Sequence, residues 1–159
     1  MIKAALLSTL CLVGTQVSYA VSVQPDRFDG HTKIVAVTHG PDNVPQLMLF
    51  ASVKDHKLQI VSLSIQSSSK EWKYLRCHSV KWLIDGKPVD LGIPEHQGDV
   101  SLGGVTESVT FPFSMAKLNL LAKAEKIEFK ICNDEITLDD TDVIEISNFK
   151  TAILEATKK

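Results

Sequence analysis

The sequence predicts a mainly β domain with two C-terminal helices, an α+β arrangement built on an antiparallel sheet, of which a β-sandwich is one form. Three observations carry this reading. Short apolar runs recur between Thr32 and Phe111, separated by turn-forming residues. Asp85-Gly86 stands between two such runs, the pattern of a tight hairpin. The spacing of apolar residues becomes helical only near Ser114 and again after Thr141.

The N-terminus is set apart from all of this. Lys3, the apolar run Ala4 to Val13 and the small-residue end Ser18-Tyr19-Ala20 have the three parts of a cleavable signal peptide. Residues 1–20 are expected to be removed on export, leaving a single globular domain over residues 21–159, periplasmic or secreted. The apolar run is well short of the roughly 20 residues needed to span a bilayer, and no later stretch is apolar for longer, so no membrane span is expected. Cys11 leaves with the leader. Cys77 and Cys132 are then the remaining thiols, an even pair in an oxidising compartment, for which a disulfide is the default.

Removing 20 of 159 residues leaves 139, ample for one hydrophobic core. The chain has 17 basic and 19 acidic residues; losing Lys3 makes the balance 16 to 19, a formal charge of −3. With no basic stripe and no RNA-binding aromatic motif, nucleic acid is excluded as a partner.

After a short polar opening, Val21 to Gly30, the segment Thr32 to Thr38 alternates as a strand with Ile34 and Ala36 on one face. His39 to Pro45 collects turn residues. Gln46 to Val53 is a second strand, Lys54 to Lys57 a turn, and Leu58 to Ile65 a third strand running into a polar loop, Gln66 to Ser69. Glu71 to Cys77 alternates again and is predicted as a strand, with Trp72, Tyr74 and Arg76 on one face and Lys73, Leu75 and Cys77 on the other. Lys81 to Leu91 is the Asp85-Gly86 hairpin.

Gly92 to Gly104 contains four glycines and Pro94, which predicts a loop or an irregular edge. Val105 to Phe111 sets Val105, Val109 and Phe111 against Thr106, Ser108 and Thr110, a further strand. A helix opens at Pro112 or Ser114 and places Met115, Leu118, Leu121 and Ala122 on one face. Lys126 to Cys132 is the most regular strand, with Ile127, Phe129 and Ile131 inward and Cys132 on the polar face, so the bridge to Cys77 is expected at the sheet surface or edge. Glu135 to Leu138 follows a turn at Asn133-Asp134. From Thr141 to Thr157, Val143, Ile146, Phe149, Ile153 and Leu154 form a helical stripe, with Asp142-x-x-Glu145 as its start signal.

Few residues suggest chemistry. Ser67-Ser-Ser-Lys70 fits the serine–lysine nucleophile spacing, but it lies in a polar loop rather than on a helix and lacks the companion motifs. The five histidines, His31, His39, His56, His78 and His96, form no paired ligand motif, which favours scattered surface histidines; the alternative is a surface metal site where His31 and His39 flank one strand with Asp29 and Asp42 nearby. The acidic cluster Asp134, Glu135, Asp139, Asp140, Asp142 and Glu145 lacks the glycine of a calcium loop and is better explained by helix capping. Neither a cofactor nor a metal is called for.

Trp72, Tyr74 and Arg76 are the candidate binding residues, because aromatic and guanidinium groups on one sheet face anchor protein or glycan partners. The functional expectation is a non-catalytic exported binding or protein-interaction module. The alternative is a small hydrolase or metal-dependent enzyme assembled from dispersed His and Asp residues, distinguished by whether those histidines converge in a pocket.

Overall fold

The computed structural model describes residues 21–38, 44–101 and 103–158. The expected signal peptide over residues 1–20, with Cys11, and the expected turn that holds His39 and Asp42 lie outside the described residues. The chain forms β1 (Ser22–Pro25), β2 (His31–Val37), β3 (Gln46–Lys54), β4 (Lys57–Ser69), β5 (Val80–Ile84), β6 (Lys87–Val89), β7 (Glu95–Ser101), β8 (Gly104–Pro112), α1 (Met115–Leu121), β9 (Ile127–Ile131), β10 (Asp134–Thr137) and α2 (Asp140–Thr157). Two antiparallel sheets result. The larger has the order β1-β2-β3-β4-β8-β7 and the smaller β10-β9-β5-β6. The fold is mainly β with two helices, as the sequence predicts.

Alternation decides which face of each strand is buried. Ile34 and Ala36 on β2, Leu47, Leu49 and Ala51 on β3, Val61, Leu63 and Ile65 on β4, and Val105, Val109 and Phe111 on β8 turn inward together. α2 lies against β2, β3 and β4 and brings Ile146, Phe149 and Ile153 onto that surface. The smaller sheet meets the larger one through Trp82 of β5, whose ring stands edge-on to Phe111 of β8 at 5.5 Å and tilts against Phe129 of β9 at 5.0 Å. Both sheets and both helices share one buried apolar cluster.

Turn chemistry fixes the register. Asp85 and Gly86 have φ of 50° and 73°, the left-handed pair that a type I′ hairpin needs, and β5 pairs β6 across them. Asp85 also accepts the N–H groups of Glu125 and Lys126 at 2.9 Å, which ties this turn to the start of β9. Ser114 caps α1 by accepting the N–H of Lys117, and Asp139 caps α2 by accepting that of Asp142.

Several expectations need correction. The polar opening contains β1, which pairs with β2. The serine run Gln66 to Ser69 is not a loop: β4 continues through it and pairs with β8 as far as Ser69 opposite Val105. Within Gly92 to Gly104, the edge alternative rather than the loop is found: residues Glu95 to Ser101 form the regular edge strand β7. Glu71 to Cys77 is not a strand; it lies in the connection from β4 to β5. Cys132 is not on the polar face of β9. It follows the strand in a left-handed turn, φ 56°, and packs half-buried against the core. α2 begins two residues before the proposed Asp142 signal, capped by Asp139, and Leu154 points outward.

Candidate functional site

Residues 70–79 leave the larger sheet at the end of β4 and enter the smaller one at β5, so this loop must cross between them. A loop there cannot use ladder hydrogen bonds, and its buried N–H groups need other acceptors. Glu107 of β8 provides them. Val105, Glu107 and Val109 share the inward face of β8, so the carboxylate is aimed into the protein, where it is 1% exposed. Its Oε2 accepts the N–H of Lys73 at 2.7 Å and its Oε1 that of Tyr74 at 2.9 Å. Oε1 also lies 3.0 Å from His96 Nε2. Burial raises the proton affinity of this carboxylate, but the two main-chain N–H groups and His96 outweigh it and hold its pKa below the usual value.

Three further ties hold the loop. The Tyr74 ring is buried, 2% exposed, and its hydroxyl donates to Asp134 of β10 at 2.5 Å. Burial and the adjacent Asp134 carboxylate push the phenol's pKa well above its ordinary value. Cys77 is bonded to Cys132 with a Cα–Cα separation of 5.9 Å, and the N–H of Cys132 donates to Ser79 O at 3.1 Å. Trp72 lies on β7 at Gly98: a Cβ on Gly98 would sit 2.3 Å from the indole Cζ3, so only a residue without a side chain permits this approach. Glu107 and Gly98 thus tie the loop to the larger sheet, and Asp134 and Cys132 tie it to the smaller one.

What the loop offers to solvent is distinctive. Trp72 is 38% exposed and Leu75 51% exposed, and Arg76, Cys77 and His78 are exposed beside them. His78 stacks on His96 at 5.6 Å with an interplanar angle of 20°, and Trp72 is tilted against His96 at 6.2 Å. The sequence-predicted trio is therefore divided. Trp72 and Arg76 are at the surface, while Tyr74 is an anchor in the core.

The other candidates are dispersed. Ser67 lies on β4 opposite Glu107 with its Oγ buried and unpartnered, so the Ser67–Lys70 spacing is not a helical turn. His31 bonds Ser52 at 2.8 Å, and His56 occupies the β3–β4 turn with φ 60°. Asp139, Asp140 and Asp142 sit at the start of α2, where carboxylates favour the positive end of the helix. Among the described residues, no group of three His, Cys, Asp or Glu side chains is arranged to hold a metal ion.

Sequence reasoning missed Glu107 and the role of Gly98, and it named His96 only as one of five dispersed histidines. Glu107 had one legible signal: it occupies the inward phase of β8, where its neighbours in phase are Val105 and Val109. A carboxylate in an apolar phase needs partners, and here they are main-chain amides more than thirty residues away. No family model, curated protein or solved structure matches this chain.

Proposed function

We propose that the mature chain, from Val21 onward, is an exported, non-catalytic binding module that engages a protein partner through residues 70–79. One observation carries the reading: a loop between two sheets is held at four separate points and yet leaves an indole, a leucine and a guanidinium open to solvent. Trp and Arg are the residue types that dominate binding energy at protein interfaces. A loop already fixed in one conformation loses little entropy on binding. The disulfide, and the lack of any described helix long and apolar enough to cross a membrane, suit an exported protein.

The test compares oxidised residues 21–159 with a Trp72→Ala/Arg76→Ala double variant as bait for an envelope extract of the native host. A protein retained by the wild type and lost by the variant supports the reading. Equal retention by both, or nothing above background, overturns it.

One arrangement favours the hydrolase alternative. Two of the dispersed histidines do converge, and His96 is oriented by the Glu107 carboxylate, as a general base would be. That carboxylate is already committed to two main-chain amides, which makes a structural role the better account. Ester hydrolysis by the wild type that disappears in His96→Ala would reverse this preference.

A further inference from the structure

The larger sheet ends at β7, which pairs with β8 and with no other described strand. Its backbone edge is open, and β7 is exposed along nearly its whole length. Alternation sorts its side chains. Glu95, Gln97 and Asp99 pair in register with Thr110, Ser108 and Thr106 on the outer face of β8. His96, Gly98 and Val100 pair with Val109, Glu107 and Val105, the inward phase. On that inner side Trp72 covers Gly98, His78 covers His96, and Val100 remains 62% exposed.

The open edge therefore runs between two unlike borders, one acidic and one aromatic and apolar. We propose that β7 is an acceptor edge for an extended peptide segment of a partner protein, which adds to the larger sheet as a further strand. This rests on the binding role proposed for residues 70–79 and names its ligand class. Main-chain pairing would supply affinity, and alternate side chains specificity. On the outer side, neighbours of Glu95 and Asp99 must be cationic, because opposite charges across a strand pair attract and like charges repel. On the inner side they must be apolar, to lie against Trp72 and Val100. The ligand is thus a strand that alternates Lys or Arg with apolar residues.

The same charges argue against a second copy as the occupant. An antiparallel β7–β7 pair centred on Gln97 would set Glu95 of one chain opposite Asp99 of the other, acid against acid. The N–H of Val100 is meanwhile taken by the Asp99 carboxylate at 2.8 Å, a local bond that an incoming strand can replace.

The experiment titrates oxidised residues 21–159 with the capped peptide Lys-Val-Lys-Phe-Lys-Val-Lys. Its scrambled isomer Lys-Lys-Val-Val-Phe-Lys-Lys and the acidic Glu-Val-Glu-Phe-Glu-Val-Glu serve as controls. Amide hydrogen exchange and affinity are read together. The alternating basic peptide should bind and slow exchange at residues 95–101 by about tenfold or more. Glu95→Lys/Asp99→Lys, two exposed positions, should weaken it at least tenfold and transfer binding to the acidic peptide.

No protection of β7, equal binding of the acidic or scrambled peptide, or no exchange of preference in the double variant overturns the proposal. Trp72→Ala separates the two readings. Protection confined to residues 70–79 and abolished by Trp72→Ala retains the loop and rejects the edge. Protection of β7 with affinity unchanged in Trp72→Ala retains the edge and rejects the loop.

Discussion

Glu107 shows how a single carboxylate can stand in for a strand partner. Its two oxygens take the N–H groups that Lys73 and Tyr74 would otherwise bury unpaired. Glu107→Gln keeps the volume but turns one acceptor into a donor facing a donor. Hydrogen bonds to charged groups contribute about 1.5–3 kcal/mol each, so a loss of about 2–3 kcal/mol is expected in denaturant unfolding. The pH dependence follows from the lowered pKa. A carboxylate whose folded value lies below its unfolded value stabilises fully above the ordinary range near 4.5, and that contribution disappears as pH falls through the lower folded value. Glu107→Gln should therefore flatten the acid limb of stability against pH; an unchanged acid limb would contradict this role.

Tyr74 has the opposite sign. Its phenol is held protonated by burial and by Asp134, so its folded pKa is raised. The stabilisation is complete below the ordinary value near 10 and is lost as pH rises through the higher folded value. Of the two tyrosines in the chain, Tyr19 lies outside residues 21–159, so phenolate absorbance of a protein made as residues 21–159 reports Tyr74 alone. Ionisation well above the ordinary range is expected, shifting to that range on unfolding. Tyr74→Phe should cost about 1.5–3 kcal/mol through the lost bond to a charged acceptor.

At the scale of elements, the loop 70–79 and the strand β7 explain one another. The segment Trp72-Lys73-Tyr74-Leu75 alternates in sequence like a strand, but only Tyr74 is buried; Trp72 and Arg76, in phase with it, are exposed along with Lys73 and Leu75. Period two was legible, but the absence of a neighbouring strand was not. β7 is the converse case. Glu-His-Gln-Gly-Asp-Val-Ser has little β propensity and a central glycine, and it is a strand because β8 offers it a ladder. Its charges and its glycine are the usual features of an edge. Gly98→Ala places a methyl group inside the Trp72 ring. The expected result is displacement of the indole, a destabilisation of about 1–3 kcal/mol and altered Trp72 fluorescence, read in a Trp82→Phe background. Native emission and stability in Gly98→Ala would show that Trp72 does not rest on β7.

For the whole molecule, the Cys77–Cys132 bridge closes a loop of 55 positions and links the connection to the end of β9. The chain-entropy model assigns such a bridge about 4 kcal/mol, acting through the unfolded state. Cys77→Ser/Cys132→Ser should lower unfolding free energy by about that amount. Glu107 and Tyr74 still hold the loop, so native far-ultraviolet circular dichroism and the environment of Trp72 should persist. Loss of native Trp72 emission under folded conditions would mean that the disulfide alone positions the loop.

The amino-acid sequence by itself determined the division of faces on β2, β8 and β9, the Asp85-Gly86 hairpin, the two helices and the pairing of Cys77 with Cys132, because period, turn chemistry and cysteine number are local or countable properties. Only the tertiary structure decided that Tyr74 faces the core while Trp72 and Arg76 face solvent, that β4 extends through its serines, and that β7 is a strand at all. Each of these depends on a partner distant in sequence, whether Glu107 for Tyr74, β8 for Ser69 or Gly98 for Trp72. A polar or alternating segment has no preferred partner of its own, so its conformation is set by whichever surface supplies its missing hydrogen bonds.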